Sequence, residues 1–121
     1  AEVAERLSRM DDLIDAPDRF SHENARLHRF ICQQAETPLV NGVMGNILAH
    51  WDRLRRHYLT EVFAHRIEEA QQEHWRILEA LRTRDPDRVE HVIREHNQSS
   101  RKAYVKHLRA KGLISAELTA V

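Results

Sequence analysis

The sequence of 121 residues contains few of the residues that turn or cross-link a chain: three glycines, three prolines and one cysteine, Cys32. So few glycines and prolines leave little room for turns, which favours a few long helices over many short strands. A single cysteine excludes an internal disulfide and suits a reducing cytoplasm, where we expect the protein to be located. The formal net charge is zero, which argues against a surface that binds duplex nucleic acid. No stretch of about 18 apolar residues occurs, so we predict no membrane span.

The spacing of the apolar residues predicts an all-α protein, an antiparallel bundle of about five to six helices that forms one domain over residues 1–121. Five helices are predicted, at roughly 2–15, 17–34, 39–60, 64–83 and 86–110. Pro17 and Pro86 suit first helical turns, Asp85 is a suitable N-cap, and Gly112 stands where a helix C-terminus favours glycine. The third helix has a very regular apolar seam, expected to pack in the bundle: Val40, Met44, Ile47, Trp51, Leu54 and Tyr58. The fourth has a buried stripe made of Ile67, Ala70, Ile77, Leu78 and Leu81.

The sequence is rich in histidine, with nine in 121 residues. His28, His74 and His96 each interrupt the apolar stripe of a different helix, and Asn24 lies one turn before His28 on the same face. In antiparallel neighbours His74 and His96 would lie at matching depths, so their rings can face each other. Any one of them can be a core histidine bonded to a backbone carbonyl or to water. Burying three polar rings without partners costs about 1–3 kcal/mol each, which favours a shared transition-metal site.

The other histidines fall on seam edges or outer faces, where we expect solvent exposure: His22, His50, His57, His65, His91 and His107. Asp18 and His22 have the same four-residue spacing as Asn24 and His28, but they lie off the apolar seam and are not taken as a site. No Gly-rich phosphate loop or nucleophile elbow occurs, and Cys32 has no evident activating partner. No aspartate or glutamate is evident on an inner helix face, which argues against acid–base catalysis.

With these residues in place, the chain resembles the effector-binding FCD domain of GntR-type bacterial transcription regulators. The family motif Asp-x-x-Phe-His, followed by an Asn-Pro turn, corresponds to 24–28, Asn-Ala-Arg-Leu-His, with Thr37-Pro38 at the turn. The fourth helix matches as Glu73-His74-x-x-Ile-Leu-x-Ala-Leu, followed by Asp85. His96 follows His74 by 22 residues, as in the family. The resemblance covers roughly residues 5 to 100, and the combined motif is far more specific than any one element.

The resemblance implies a divalent transition metal, zinc or nickel, held by Asn24, His28, His74 and His96, and a small organic carboxylate as the effector. Asn24 departs from the usual aspartate and brings no negative charge, so metal affinity should fall. Arg55 can pair with a second carboxylate of the effector, or it can be an ordinary exposed arginine. The resemblance also implies a homodimer. DNA would be bound only through an N-terminal winged-helix domain, which we expect to be missing here together with the first bundle helix.

Two other functions stay open at this point. A metal-dependent enzyme could use the same three histidines and a metal-bound water. A plain helical dimerisation module would need only core histidines with satisfied hydrogen bonds. If the chain functions as the family resemblance implies, effector binding would favour one packing of the helices. It would thereby control DNA binding allosterically, with no catalysis.

Overall fold

The computed structural model describes residues 1–35, 37–58 (the backbone alone at 58) and 60–113. Across these residues the chain forms five helices and no strand, so the predicted all-α fold is confirmed. The helices are α1 (Glu2–Asp11), α2 (Pro17–Gln33), α3 (Pro38–Tyr58), α4 (Thr60–Thr83) and α5 (Pro86–Ala110). They divide into two compact units, the first Ala1–His57 and the second from Tyr58 onward. Among the described residues no helix is both long enough and apolar enough to cross a bilayer.

In the first unit, α1 packs on α2 around four almost fully buried side chains: Leu7, Met10, Phe20 and Leu27. α1 ends at Asp11, about four residues before the predicted end. Acidic side chains destabilise the C-terminus of a helix, which is the negative end of its dipole. Asp11, Asp12 and Asp15 cluster there. The chain closes instead in a turn, in which the backbone N–H of Leu13 donates to the carbonyl of Met10.

α3 does not pack through the face that its seam predicts. Val40, Ile47 and Leu54 of that seam are exposed, by 44%, 54% and 39%. The buried side chains of this helix are instead Leu48 and Arg55. Because apolar residues of α3 also lie beside the predicted seam, as Leu48 does, its spacing alone admits more than one packing face, and the predicted one is wrong at these three positions.

In the second unit, α4 and α5 form an antiparallel pair joined by a tight connection at Arg84, whose φ is 58°. The side chain of Asp85 caps α5 by accepting the backbone N–H of Asp87 at 3.1 Å, as predicted. A core cluster of Ile77, Ala80 and Val92 holds the two helices together. α4 begins at Thr60, about four residues earlier than predicted, and buried Phe63 extends its apolar stripe by one turn.

Candidate metal site

The first candidate ligand of the second unit, His74, lies in the middle of α4, on the stripe that the sequence predicts. Ile67 and Ile77 of that stripe are buried, and His74 is only 2% exposed. Its Nδ1 atom lies 3.1 Å from Oε1 of Gln71, one turn earlier on the same helix. Buried polar groups need a hydrogen-bond partner, and a neighbour on the same helix provides one for this ring.

His96 occupies the corresponding place on α5. It is 7% exposed and follows buried Val92 by one turn. Its Nδ1 atom lies 2.6 Å from Oε1 of Glu73, which is contributed by α4. A carboxylate of the neighbouring helix therefore holds the ring. A charged acceptor of this kind forms a stronger hydrogen bond than a neutral one.

The rings of His74 and His96 meet edge to face. Their centroids are 4.9 Å apart and their planes are inclined by 62°. This contact confirms the expectation that the two histidines lie at matching depths in antiparallel helices.

The donor chemistry of this pair fits a transition metal. An ionised carboxylate only accepts hydrogen bonds, so Nδ1 of His96 must be protonated and act as the donor in the hydrogen bond to Glu73. With Nδ1 protonated, a neutral imidazole has its lone pair on Nε2. Gln71 Oε1 sets the same arrangement for His74 when it accepts from Nδ1. Metal-binding histidines usually have such a partner on the nitrogen that does not bind the metal.

A buried ion pair lies beside His96. Arg66, 4% exposed, donates through Nη2 to Oε1 of Glu73 at 2.5 Å and to Oγ of Ser100 at 3.1 Å, while Nη1 bonds Glu69. Burial alone would raise the pKa of Glu73, but the hydrogen bonds from His96 and Arg66 outweigh it, and the pKa lies below its ordinary value. Burial would likewise lower the pKa of Arg66, and its bonding to Glu73 reverses that and raises it.

The expectation that no inner-face carboxylate exists is therefore wrong at Glu73, whose side chain is 12% exposed. Glu73 stands one residue before His74 and so lies on the flank of the apolar stripe. One signal in the sequence could have found it. Arg66 precedes it by seven residues, two helical turns, so the two opposite charges share a face beside the core.

The candidate ligands of the first unit lie on α2. Asn24 and His28 are both half-buried, and they share their helix face with buried Phe20 and Leu27, as predicted. His28, like His74 and His96, can offer an imidazole nitrogen to a metal ion.

Arg55 of α3 is buried, with 3% of its surface exposed, so the reading of an ordinary exposed arginine is wrong. Its Nη1 atom donates to Asp18 at 3.1 Å and its Nη2 atom to Asp52 at 3.2 Å. The side chain of Asp18 is 92% exposed and that of Asp52 is 41% exposed. The guanidinium is thus paired with carboxylates that remain in contact with solvent.

The remaining histidines largely follow the prediction of solvent exposure. Those that are exposed are His22, His50, His57, His65 and His91. His107, near the end of α5, is half-buried and is the exception.

The FCD domain family model matches residues 1–99, which is most of the chain and includes all four predicted metal ligands. The chain belongs to the FCD domain family. FCD domains are the effector-binding C-terminal domains of GntR-family regulators, so this chain is of the ligand-sensing type. Comparisons with curated proteins and with solved structures gave no match.

Proposed function

We propose that this FCD domain senses a small organic carboxylate through a divalent transition metal, zinc or nickel, bound by Asn24, His28, His74 and His96. The observation that carries the proposal is the buried His74–His96 pair, in which each Nδ1 atom has a side-chain oxygen as its partner. Two imidazoles presented in this way supply half of the proposed ligand set. Asn24 and His28 supply the other half from the inward face of α2.

The effector would bind at the metal. Three neutral imidazoles and one amide oxygen leave one or two coordination positions open, and they leave the charge of the ion uncompensated by protein ligands. A carboxylate is the natural partner of such an ion. Binding of the metal and of the carboxylate should therefore be strongly coupled.

Arg55 is the proposed partner of a second effector carboxylate. A guanidinium can bind a carboxylate with two parallel hydrogen bonds. Asp18, 92% exposed, loses little hydration when it pairs and can be replaced by an incoming acid. The present pairing of Arg55 then keeps a buried charge satisfied while no effector is bound.

Calorimetric titration of metal-free protein with Zn²⁺ and with Ni²⁺ tests the metal site. His74→Ala should weaken binding by at least about tenfold, because one of four ligands is lost. His65→Ala is the matched control, since His65 is an exposed histidine of the same helix. Equal affinity of the H74A variant and the parent protein would contradict the site.

Titration with citrate and with succinate, with and without metal, tests the effector role. We expect binding only with the metal present. Arg55→Gln should weaken it, whereas Arg56→Gln, which removes an exposed arginine bonded to the same Asp52, should not. Asp18→Asn should strengthen binding, because a competing carboxylate is removed. If Arg55→Gln leaves the affinity for these acids unchanged, the effector site is limited to the metal.

Glu73 gives the enzymatic alternative the carboxylate that it otherwise lacks, but not a suitable base. Its pKa lies below the ordinary value, and Oε1 already accepts hydrogen bonds from Arg66 and His96. A general base works best with a pKa near the working pH, which favours a sensor over a hydrolase. Recovery of each candidate acid unchanged after incubation with the metal-loaded protein is the expected result.

We further propose that the protein is cytoplasmic and homodimeric, and that a winged-helix domain joined to this one in the whole regulator contacts the DNA. Effector binding would then shift the equilibrium between two packings of the helices and so change how the paired DNA-binding domains are spaced. Sedimentation equilibrium measures the oligomeric state directly.

A further inference from the structure

Arg66, Glu73 and His96 form a chain of hydrogen bonds inside the second unit. A single oxygen, Oε1 of Glu73, accepts from Nη2 of Arg66 at 2.5 Å and from Nδ1 of His96 at 2.6 Å. Arg66 is in turn fixed to α5 through Oγ of Ser100 at 3.1 Å. The carboxylate therefore has little freedom to turn away from the histidine, because α4 and α5 both hold it.

This chain determines which nitrogen of His96 has the proton. The carboxylate accepts and cannot donate, so the neutral ring keeps its proton on Nδ1 and its lone pair on Nε2. The same bond fixes the rotation of the ring, since Nδ1 must point at Glu73. Both effects are properties of the protein before any ligand binds.

We propose that Glu73, oriented by Arg66, is a positioning residue that holds His96 with Nε2 ready to bind a divalent metal. The inference rests on the proposed metal-sensing function but assigns a role to residues outside the ligand set. Glu73 is not a ligand in this proposal, because its inward oxygen is already bonded to Arg66 and His96.

The two histidines of the pair are held in unequal ways. His74 has a neutral amide oxygen from its own helix at 3.1 Å, whereas His96 has a shorter bond to a carboxylate from the neighbouring helix. Charge-assisted hydrogen bonds are roughly twice as strong as neutral ones. Loss of the acceptor should therefore disturb His96 more than an equivalent change at Gln71 disturbs His74.

The test is Glu73→Met in the whole chain, which removes the acceptor oxygens, with Glu69→Met as the matched control. Glu69 also bonds Arg66, but its side chain is 74% exposed and its bond to Arg66 uses the other terminal nitrogen, Nη1. Nitrogen-15 NMR of the metal-free protein reports the tautomer of His96. We expect the Nδ1-protonated form in the parent protein and in the E69M variant, and population of the Nε2-protonated form in the E73M variant, where residue 73 no longer offers an acceptor.

Titration with Zn²⁺ is the second measurement. Loss of an outer hydrogen-bond partner typically weakens metal binding by about 10- to 100-fold, which is the expected effect of E73M, while E69M should stay within about twofold. An unchanged tautomer, or unchanged zinc affinity, in the E73M variant would overturn the proposal. Failure of the parent protein to bind zinc would instead overturn the proposed function, while the tautomer in the metal-free protein would still test the action of Glu73 on His96.

A second variant covers the case in which E73M does not fold. The double change Arg66→Met and Glu73→Met removes both charges together, so that neither is left buried without its partner, and such replacements often preserve stability. Circular dichroism should show intact helices. The same shift of the His96 tautomer is expected, and its absence in the folded double variant would also overturn the proposal.

Discussion

Among the described residues each unit buries one arginine, and the two arginines differ in what they are paired with. Arg55 is bonded to Asp18 and Asp52, whose side chains are 92% and 41% exposed. Arg66 is bonded to Glu69, which is 74% exposed, and also to Glu73, whose side chain is only 12% exposed. An exposed partner can be exchanged for another carboxylate with little loss, whereas removing one member of a buried pair leaves a charge stranded. The first arrangement suits recognition of an acid, and the second suits the holding of a neighbouring side chain.

The apolar residues of the two units show a related contrast. Ile47 of α3 is 54% exposed although its helix is rich in apolar residues. Ile77 of α4 is 4% exposed although its helix has many charges. Apolar content therefore does not determine which helix is buried here. The packing partner does, and α4 has α5 along much of its length.

The largest difference between the units is expected from removing each arginine. Arg66→Met strands Glu73 in the interior, which should cost about 3–5 kcal/mol in the free energy of unfolding. Arg55→Met leaves two carboxylates that water can solvate, so its loss should be smaller, about 1–2 kcal/mol. Urea unfolding followed by circular dichroism measures both. Equal losses would show that the exposure of the partner does not matter.

Matched isoleucine changes test the contrast in packing. Ile77→Ala should lower the free energy of unfolding by about 2–4 kcal/mol, because it opens a cavity in the α4–α5 core. Ile47→Ala removes an exposed side chain and should change stability by no more than about 0.5 kcal/mol. Thermal unfolding of both variants is the measurement. A large loss for I47A would mean that a partner covers α3 in solution.

Asn24 offers a change in the opposite direction. Asn24→Asp introduces the carboxylate that the family motif has at this place, so zinc affinity should rise by about tenfold, or about 1.4 kcal/mol. The added negative charge should at the same time weaken the dependence of carboxylate binding on the metal. Paired titrations with zinc and with citrate measure both effects. Unchanged zinc affinity would remove Asn24 from the ligand set.

The smallest effect near neutral pH is that of Glu73 titration. Its folded pKa lies below the ordinary value of 4.5, because the bonds from His96 and Arg66 outweigh burial. The resulting stabilisation is complete above the unfolded value and is lost as the pH falls through the folded one. The stability difference between the parent protein and a Glu73→Gln variant, which lacks the titrating group, should be constant from about pH 7 to 8 and should shrink below pH 4.5. A difference independent of pH would contradict this account.

Much of the local structure could be predicted from residues that act on their immediate neighbours. Pro17, Pro86 and Asp85 start α2 and α5 where expected, and Gly112 adopts a φ of 71° just beyond α5. The faces that contain His74 and His96 follow from helical periodicity, which is a property of the backbone alone. The apolar spacing predicts the end of α1 about four residues too late, because spacing alone does not take account of the acidic residues at which the helix ends.

The all-α class, the helix faces and the positions of the candidate histidines follow from local sequence, because these depend on interactions within a few turns. The remaining features depend on tertiary packing. It buried Leu48 and Arg55 of α3 in place of the predicted seam, and it placed Glu73 against His96. A residue on the flank of a stripe becomes interior only when a neighbouring helix covers it. That choice depends on the partner helix, which periodicity within a single helix does not specify.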